Sequence, residues 1–173
     1  MRCSQRSNKY EEGNRNHLAE IAELVREQSA DPIEDLRKLW RWAVFNFLIG
    51  NCDAHLKNIA IMRTPGWESV SLAPFYDLVS TSSYEGLSLE LAMAMGTKRK
   101  LSSIRRSDFE SQLEKMGMPR SLGIGEAEEL SEVVPGLVEK AGAKLAAAGF
   151  DEAESLSDEI ARQARERARA LQA

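Results

Sequence analysis

Cysteine is scarce in this sequence of 173 residues, which contains only Cys3 and Cys52. Two cysteines this far apart have neither the spacing of a metal-binding motif nor the density of a disulfide framework. Secreted domains stabilised by disulfides and small zinc-binding modules are therefore excluded as classes. A chain with so few thiols suits a reducing compartment, and we expect a cytoplasmic protein.

Long apolar runs are also absent. No segment is long enough to cross a membrane, so we expect no membrane partner. The opening residues, MRCSQRSNKYEEGNR, are polar where a secretory signal peptide requires an apolar stretch. Nothing in the sequence indicates export.

Positive charge is not in excess either. The chain carries 23 Lys and Arg against 27 Asp and Glu, which gives a formal net charge of −4. This balance excludes a general nucleic-acid-binding protein and favours a protein partner or a small ligand. Two short basic runs, Lys98-Arg99-Lys100 and Arg105-Arg106, could still receive an acidic partner or nucleic acid. Because the rest of the chain is acidic, we interpret both runs as solvated surface residues instead.

The residues that are present predict one mainly α-helical domain. With 43% hydrophobic residues, the chain can form a core of its own. Apolar side chains at helical spacing predict a helix over 17–28, and Asp31-Pro32 then begins a second helix that ends near Gly50. We interpret Trp40 and Trp42 as packing residues of this second helix. Further helices are expected over 108–116, 124–148 and 155–171, the last with the apolar stripe Leu156-Ile160-Ala164-Leu171.

A small β-hairpin is predicted between the second helix and the C-terminal helices. Its strands would cover 59–62 and 70–72, with a turn at Thr64-Pro65-Gly66. The segment from 78 to 104 mixes hydroxyl, apolar and basic residues, and we predict that it is irregular.

Asp53 and Asn58 form the pattern D-x-x-x-x-N, which is the spacing of a protein-kinase catalytic loop. In such a loop the aspartate accepts the proton of the substrate hydroxyl and the asparagine holds a magnesium ion. Taken alone, both residues are more typical of ordinary turns and helix caps. The context favours chemistry, because an apolar helix precedes the pair and the predicted hairpin leads to a third residue, Asp77. The order along the sequence is the order found in kinases. The catalytic base comes first, then the amide that binds the metal, then a hairpin, and then the carboxylate that binds the metal.

The run FNFLIGNCDAHLKNIAIM, followed by SLAPFYDLVST, resembles the C-terminal catalytic region of the HipA toxin kinases. The resemblance extends upstream through CSQRSNKYEE and downstream through LSLELAMAMGTKRKLSSIRRSDF, and it fades through the final helices. It implies that residues 1–173 form the helical large lobe of a kinase-like fold, with the small hairpin next to the catalytic loop. Residues 1–16 would enter from a small lobe and be loosely attached.

The resemblance also implies roles for individual residues. Asp53 would be the catalytic base, and Asn58 and Asp77 would hold the magnesium ion that accompanies ATP. Lys57 and His55 match the family's loop and are candidate cofactor-binding residues. Lys57 could contact phosphate or substrate or simply be solvated, and His55 could orient the loop. We expect the two aspartates and Asn58 to converge on one cleft, with both aspartates exposed beside an uncovered apolar surface.

The sequence contains neither the glycine-rich loop that covers the ATP phosphates in kinases nor the strand lysine that pairs with them. Gly123-Ile124-Gly125 is interpreted as a turn before a helix. We therefore expect a truncated chain, a gene remnant or the large subunit of a split kinase, inactive without a small-lobe subunit.

The family resemblance implies two kinds of partner. Relatives phosphorylate proteins such as aminoacyl-tRNA synthetases, and a DNA-binding, HipB-like antitoxin restrains them. Direct nucleic-acid binding by this chain is not expected. The alternative function is a catalytically silent protein-binding module of a toxin–antitoxin system.

Overall fold

The computed structural model describes residues 15–67 and 69–172, so Cys3 lies outside the described part. This part contains five α-helices and two antiparallel β-hairpins, which confirms the predicted mainly α-helical class. The helices are α1 (His17–Gln28), α2 (Pro32–Ile49), α3 (Arg106–Lys115), α4 (Arg120–Ala147) and α5 (Ala153–Ala168). The hairpins pair β1 (Ile61–Arg63) with β2 (Val70–Leu72) and β3 (Glu90–Met95) with β4 (Lys98–Lys100). Of the helices in these ranges, none is long and apolar enough to span a membrane.

Helix α2 begins and ends at residues that sequence chemistry explains. The Asp31 side chain accepts a hydrogen bond from Glu34 N at 3.1 Å, and Pro32 occupies the first turn. Gly50 follows the helix with a φ of 71°, a left-handed conformation that glycine adopts without a steric penalty. A Cβ atom at Gly50 would lie 2.0 Å from Ser82 Oγ, so this position has no room for a side chain.

Helix α2 is also the centre of the core, packed against α1, α4 and α5. Trp40 is fully buried, and its indole N–H donates to Gly123 O at 2.7 Å. The rings of Trp40 and Phe109 meet edge-on with centroids 6.1 Å apart, and Phe47 approaches Phe109 at 5.2 Å. Trp42 is buried as well, which confirms the predicted packing role of both tryptophans.

The first hairpin forms close to its predicted place, although β1 begins at Ile61 rather than at residue 59. The buried carboxylate of Asp35 attaches it to α2. Asp35 Oδ2 accepts hydrogen bonds from Leu72 N at 2.9 Å and from Ser29 Oγ at 2.7 Å. The hairpin is therefore fixed to the helix that precedes the D-x-x-x-x-N loop.

The second hairpin shows that our prediction of an irregular segment over 78–104 is wrong for residues 90–100, whereas residues 78–89 contain only a 3₁₀ turn at Thr81–Ser83. Strands β3 and β4 place Met95 opposite Lys98, and Gly96 between them has a left-handed backbone. The strand is buried continuously from Leu91 to Met95. Its sequence therefore lacks the alternation of polar and apolar residues that identifies a half-buried strand.

Asn16 belongs to the segment that we expected to be loosely attached, and for this residue the expectation is wrong. Its Oδ1 atom accepts a hydrogen bond from Ala19 N at 2.9 Å and caps α1. The same side chain exchanges two hydrogen bonds of 2.9 Å with the buried Gln112. Gln112 Oε1 also accepts from Gly96 N at 3.0 Å, so two amides join α1, α3 and the second hairpin. Residues 1–14 lie outside the described part of the chain.

Glu126 is a buried carboxylate that joins α4 to α2, with 5% of its surface exposed. Arg37 Nε donates to its Oε1 at 2.8 Å, and Arg41 Nη1 donates to its Oε2. Burial alone would raise the pKa of Glu126, but the hydrogen bonds from Arg41 and Arg37 outweigh burial and hold the pKa below its ordinary value. The charged form of Glu126 therefore stabilises the fold at neutral pH.

Replacing Glu126 by Gln should lower the free energy of unfolding by about 1–3 kcal/mol at neutral pH, because two guanidinium groups lose their buried anion. A carboxylate whose pKa is depressed on folding stabilises the protein above its unfolded-state pKa of about 4.3. This contribution is lost as the pH falls through the lower, folded-state pKa. In urea denaturation, the difference between wild type and Glu126→Gln should therefore shrink below about pH 4.

Glu129→Gln is the matched control for this experiment. Glu129 is exposed and approaches the same Arg41 at 3.4 Å. An exposed ion pair contributes little, so we expect a change below about 0.5 kcal/mol. Equal losses for the two variants, or a loss at Glu126 that does not depend on pH, would contradict the assignment.

Candidate active site

Two of the predicted site residues are in direct contact. Asn58 Nδ2 donates a hydrogen bond to Asp77 Oδ2 at 2.7 Å. Asn58 is buried, and its Oδ1 accepts from His55 N at 2.8 Å, which determines which amide atom faces the carboxylate. Asp77 is exposed, as expected. The structure thus brings an amide and a carboxylate together from the two ends of the first hairpin.

Asp53 lies in the same region because one side chain connects it to Asp77. Asn51 Oδ1 accepts a hydrogen bond from Asp53 N at 3.2 Å, and Asn51 Nδ2 donates to Asp77 O at 3.0 Å. Asn51 is itself buried. The side chain of Asp53 is half-buried, so it is less exposed than we expected.

Asn51 and Asn46 are site-positioning residues that the sequence did not reveal to us. Asn51 Nδ2 donates to Asn46 Oδ1 at 2.8 Å, and Asn46 Nδ2 donates to Trp42 O at 2.8 Å. The available signal was an asparagine within the apolar stretch FNFLIGN of α2. Asparagine is unfavourable inside a helix unless its side chain has a hydrogen-bond partner. The position of Asn46 in an apolar helix therefore indicates that its side chain has such a partner.

The hydroxyl side chains that follow Asp77 bind the end of α2. Ser80 Oγ donates to Ile49 O at 2.6 Å, and Thr81 Oγ1 donates to Gly50 O at 3.1 Å. Thr81 Oγ1 also accepts from Cys52 N at 2.7 Å. These bonds satisfy carbonyl groups that a helix end leaves without partners, and they hold the two loops of the site together.

Aromatic side chains fix the approach to Asp77. Phe75 stacks on Trp42 of α2, with ring centroids 5.6 Å apart and an interplanar angle of 29°. Tyr76 donates its hydroxyl hydrogen to Lys57 O at 2.5 Å, which connects the two loops a second time. The backbone on the N-terminal side of Asp77 is therefore anchored by packing and by a hydrogen bond.

The backbone of Asp77 is itself unusual. Within the described ranges, Asp77 alone among the non-glycine residues has a positive φ, of 61°. Aspartate tolerates this left-handed region better than most residues, but the conformation persists only where the surroundings impose it. Such residues are concentrated at functional sites.

The remaining predicted residues differ in their surroundings. Lys57 is exposed, on a 3₁₀ turn that covers Leu56–Asn58, and its side chain is free to reach a ligand above the loop. His55 is buried, and its backbone N–H holds Asn58. The orienting role of His55 and the ligand contact of Lys57 stay predictions.

Exposed apolar side chains are concentrated in the segment from residue 76 to residue 89, as the expected uncovered surface requires. They are large residues, and each has more than a third of its surface exposed. They are Tyr76, Leu78, Val79, Tyr84, Leu87 and Leu89.

The chemistry of this site rests on oxygen atoms. Among the described residues, no group of three or more His, Cys, Asp or Glu side chains is placed to hold a metal ion. Asn58 and Asp77 offer instead an amide and a carboxylate, the donor types that magnesium accepts from proteins. Asp53 adds a second carboxylate in the same loop.

Comparison with known proteins gives one family. The model of the HipA-like C-terminal domain matches residues 1–165. The serine/threonine-protein kinase toxin HipA of Shewanella oneidensis is 32% identical over 120 residues, which are 69% of this chain and 26% of that protein. A Sinorhizobium fredii protein named as a kinase, Y4mE, is 36% identical over 96 residues, 56% of this chain and 22% of the relative.

Comparison with a solved structure indicates the same family. It contains Shewanella oneidensis HipA with HipB and operator DNA, and it matches with a TM-score of 0.78 and 27% sequence identity. The match covers 95% of this chain and 40% of that chain. This chain thus spans well under half the length of the relatives that it matches. The match over residues 1–165 and the agreement with the solved structure show that the chain belongs to the family of HipA-like C-terminal domains.

Proposed function

We propose that this chain is the C-terminal catalytic lobe of a serine/threonine protein kinase that transfers a phosphoryl group from Mg²⁺-ATP to a protein hydroxyl. The observation that carries the proposal is the 2.7 Å contact between Asn58 and Asp77. This contact lies in a loop that also presents Asp53, at the D-x-x-x-x-N spacing of a kinase catalytic loop.

Asp53 is the proposed base. It accepts the proton of a serine or threonine hydroxyl, and the hydrogen bond from its backbone N–H to Asn51 Oδ1 at 3.2 Å holds the loop in place. Half-burial restricts the side chain more than full exposure would. Precise orientation of this kind is the main contribution that a kinase makes to phosphoryl transfer.

Asn58 and Asp77 are the proposed magnesium ligands, and both residue types carry oxygen donors that suit this ion. Asp77 offers an exposed carboxylate. In this structure the Asn58 amide presents Nδ2 to that carboxylate and Oδ1 to His55 N, so binding of one ion by both residues would require Asn58 to give up its hydrogen bond to Asp77. When bound, Mg²⁺ supplies positive charge that offsets the negative charge of the phosphates. Lys57 is the proposed phosphate or substrate contact, and His55 is the proposed orienting residue of the loop.

The phosphates of ATP need a further set of groups. The 173 residues contain no glycine-rich loop with a strand lysine, and we propose that a small lobe outside these residues supplies both. The coverage of the HipA structure supports this proposal, because this chain matches only 40% of that chain. Catalysis by the chain alone would then be negligible.

The proposed partners follow from the relatives. The solved HipA structure contains HipB, which supports a HipB-like antitoxin as a partner of this chain. An aminoacyl-tRNA synthetase is the proposed class of protein substrate, and this part of the proposal rests on the family resemblance of the sequence alone. Cys52 is a free, buried thiol, which suits the proposed location in the reducing cytoplasm.

A protein-binding module without activity is the second candidate. The exposed apolar side chains between residues 76 and 89 favour it, since such surfaces commonly mark protein interfaces. Calorimetric titration of the chain, fused to a small lobe, with ATP and Mg²⁺ separates the two functions. Binding that requires Mg²⁺ supports the kinase, and no binding supports the silent module.

The isolated chain should phosphorylate protein at a negligible rate, and fusion to the small lobe of a HipA kinase should raise the rate at least about a hundredfold. The reason is that Asp53 can orient a hydroxyl only if another segment holds the triphosphate in line with it. Transfer of radiolabelled phosphate to protein measures the rate. Strong activity of the unfused chain would show that the small lobe is not required.

In the fused protein, Asp53→Asn should lower kcat by about 10²–10⁴ and change nucleotide affinity by no more than about twofold. Asp77→Asn should weaken Mg²⁺-dependent ATP binding as well as kcat. Asparagine tolerates the left-handed backbone at this position, so loss of charge is separated from loss of structure. Steady-state kinetics and calorimetry measure both effects.

Asp151→Asn is the control for both aspartate variants, because Asp151 is exposed in the turn between α4 and α5. It should leave kcat and ATP affinity unchanged. Full activity of Asp53→Asn would refute its role as the base, and undiminished Mg²⁺-ATP binding by Asp77→Asn would refute its role as a ligand.

A further inference from the structure

A cavity of about 660 Å³ lies beside α5 and shares no residue with the proposed catalytic site. Its walls come from α5, from the 3₁₀ turn at Thr81–Ser83 and from the 3₁₀ turn at Leu101–Ser103 with the residues beside it. Cavities of roughly 300–1,000 Å³ are typical of small-molecule sites. The cavity therefore has the size of a ligand site, and its lining indicates the kind of ligand.

The lining is strongly basic, in contrast to the whole chain, whose formal net charge is −4. One carboxylate, that of Glu166, faces the cavity, and Arg162 pairs with it at 2.5 Å. The cationic residues of the lining are Lys100, Arg105, Arg162, Arg167 and Arg169. Two of them belong to the basic runs that we interpreted from the sequence as a solvated surface.

Four of these cations have no anionic partner. In the described part of the chain, no carboxylate forms an ion pair with Lys100, Arg105, Arg167 or Arg169. Arg105 Nη1 donates instead to the carbonyl oxygens of Ser102 and Ile104. Glu90 lies opposite Lys100 in the second hairpin, and Glu159 and Glu166 interact electrostatically with Arg167, but none of the three forms a direct ion pair with these cations. Cations that outnumber the carboxylates of a concave surface attract anions and raise their local concentration.

Arg167 is the most constrained of the four. Its guanidinium is partly buried and donates only to uncharged acceptors, namely Leu48 O at 2.8 Å and Ser82 Oγ and Gln163 Oε1 at 2.6 Å each. Burial lowers the pKa of Arg167 below its usual range, although a guanidinium stays charged at neutral pH. An anion in the cavity would offset the unfavourable burial of this charge.

The rest of the lining is apolar. Phe47, Leu89, Leu101, Ile104 and Ala170 contribute to the walls. Inorganic anions gain nothing from such contacts, whereas an organic body attached to the anion does. The guanidinium groups match phosphate geometry, because two of their N–H groups can donate in parallel to two oxygens.

We propose that this cavity binds a small molecule that carries a phosphate group on an apolar or aromatic body. The phosphate contacts cations at the C-terminal end of α5, namely Arg167 and the following Arg169, and cations on either side of the Leu101–Ser103 turn, namely Lys100 and Arg105. The body packs on the apolar wall. The site is separate from the proposed magnesium site and does not depend on kinase activity.

Phenyl phosphate is a suitable probe, and isothermal titration calorimetry of the 173-residue chain measures its binding. The titration is run with EDTA and at low salt, so that binding to a magnesium site does not contribute. We expect one saturable site. Inorganic phosphate should bind about tenfold more weakly because it lacks the apolar body, and phenol should give no detectable binding.

Lys100→Gln combined with Arg169→Gln should weaken phenyl phosphate at least about tenfold, since two charge-assisted hydrogen bonds are removed. Both residues are exposed, so the fold should persist, and circular dichroism checks this. The control combines Arg120→Gln with Arg165→Gln. This pair removes the same charge from exposed residues outside the cavity and should change the affinity by no more than about twofold.

Three outcomes would overturn the proposal. The first is the absence of saturable phenyl phosphate binding. The second is an equal loss of affinity in both double variants, which would indicate attraction by the general field of the protein. The third is binding of a phosphoserine peptide without binding of phenyl phosphate, which would make the cavity a protein-docking site.

Discussion

The carbonyl groups at the end of α2 impose the constraint on which the rest of the site depends. A helix leaves its last carbonyls without partners, and buried ones must find donors elsewhere in the chain. Here Arg167 of α5 and the hydroxyls of Ser80 and Thr81 donate to the carbonyl oxygens of residues 48–50. Two distant segments thus meet at one helix end. The loop that begins there is attached to the core by these hydrogen bonds and by the bond from Cys52 N to Thr81 Oγ1.

Much of the helical fold can be predicted from the sequence because its signals are local. Periodicity predicted the bounds of α1 to the residue, and Asp31-Pro32 with Gly50 defined α2. The predicted turn at Gly123-Ile124-Gly125 is wrong, because α4 begins at Arg120 and contains these residues. The spacing of the kinase pattern also led to Asn58 and Asp77, which the structure brings into contact. The second hairpin was missed because burial on both faces removes alternation. The bridging side chains were missed because their partners lie far away in the sequence.

Helix α5 shows that an apolar stripe in the sequence does not identify every buried residue of a helix. Of the predicted stripe, Ala164 and Leu171 are buried, as expected, but Leu156 is exposed, and Ala161, outside the stripe, is fully buried. The helices α4 and α5 approach so closely that a Cβ atom at Gly142 would lie 1.8 Å from Ser157 Oγ. Small residues permit this approach, and close packing then buries them. A search of the sequence for large apolar residues does not detect a helix interface that forms because the side chains are small.

Gly50 lies between the end of α2, the proposed catalytic loop and the residues Ser82 and Arg167 of the basic cavity. A Cβ atom there would lie 2.0 Å from Ser82 Oγ and 2.6 Å from Arg167 Nη2, and the backbone is left-handed as well. Any side chain at this position would displace both groups, which are hydrogen-bonded to each other at 2.6 Å, and Arg167 also donates to Leu48 O. A single substitution here would therefore disturb the end of α2 and the wall of the cavity together, so the two regions are mechanically coupled through one atom-sized space.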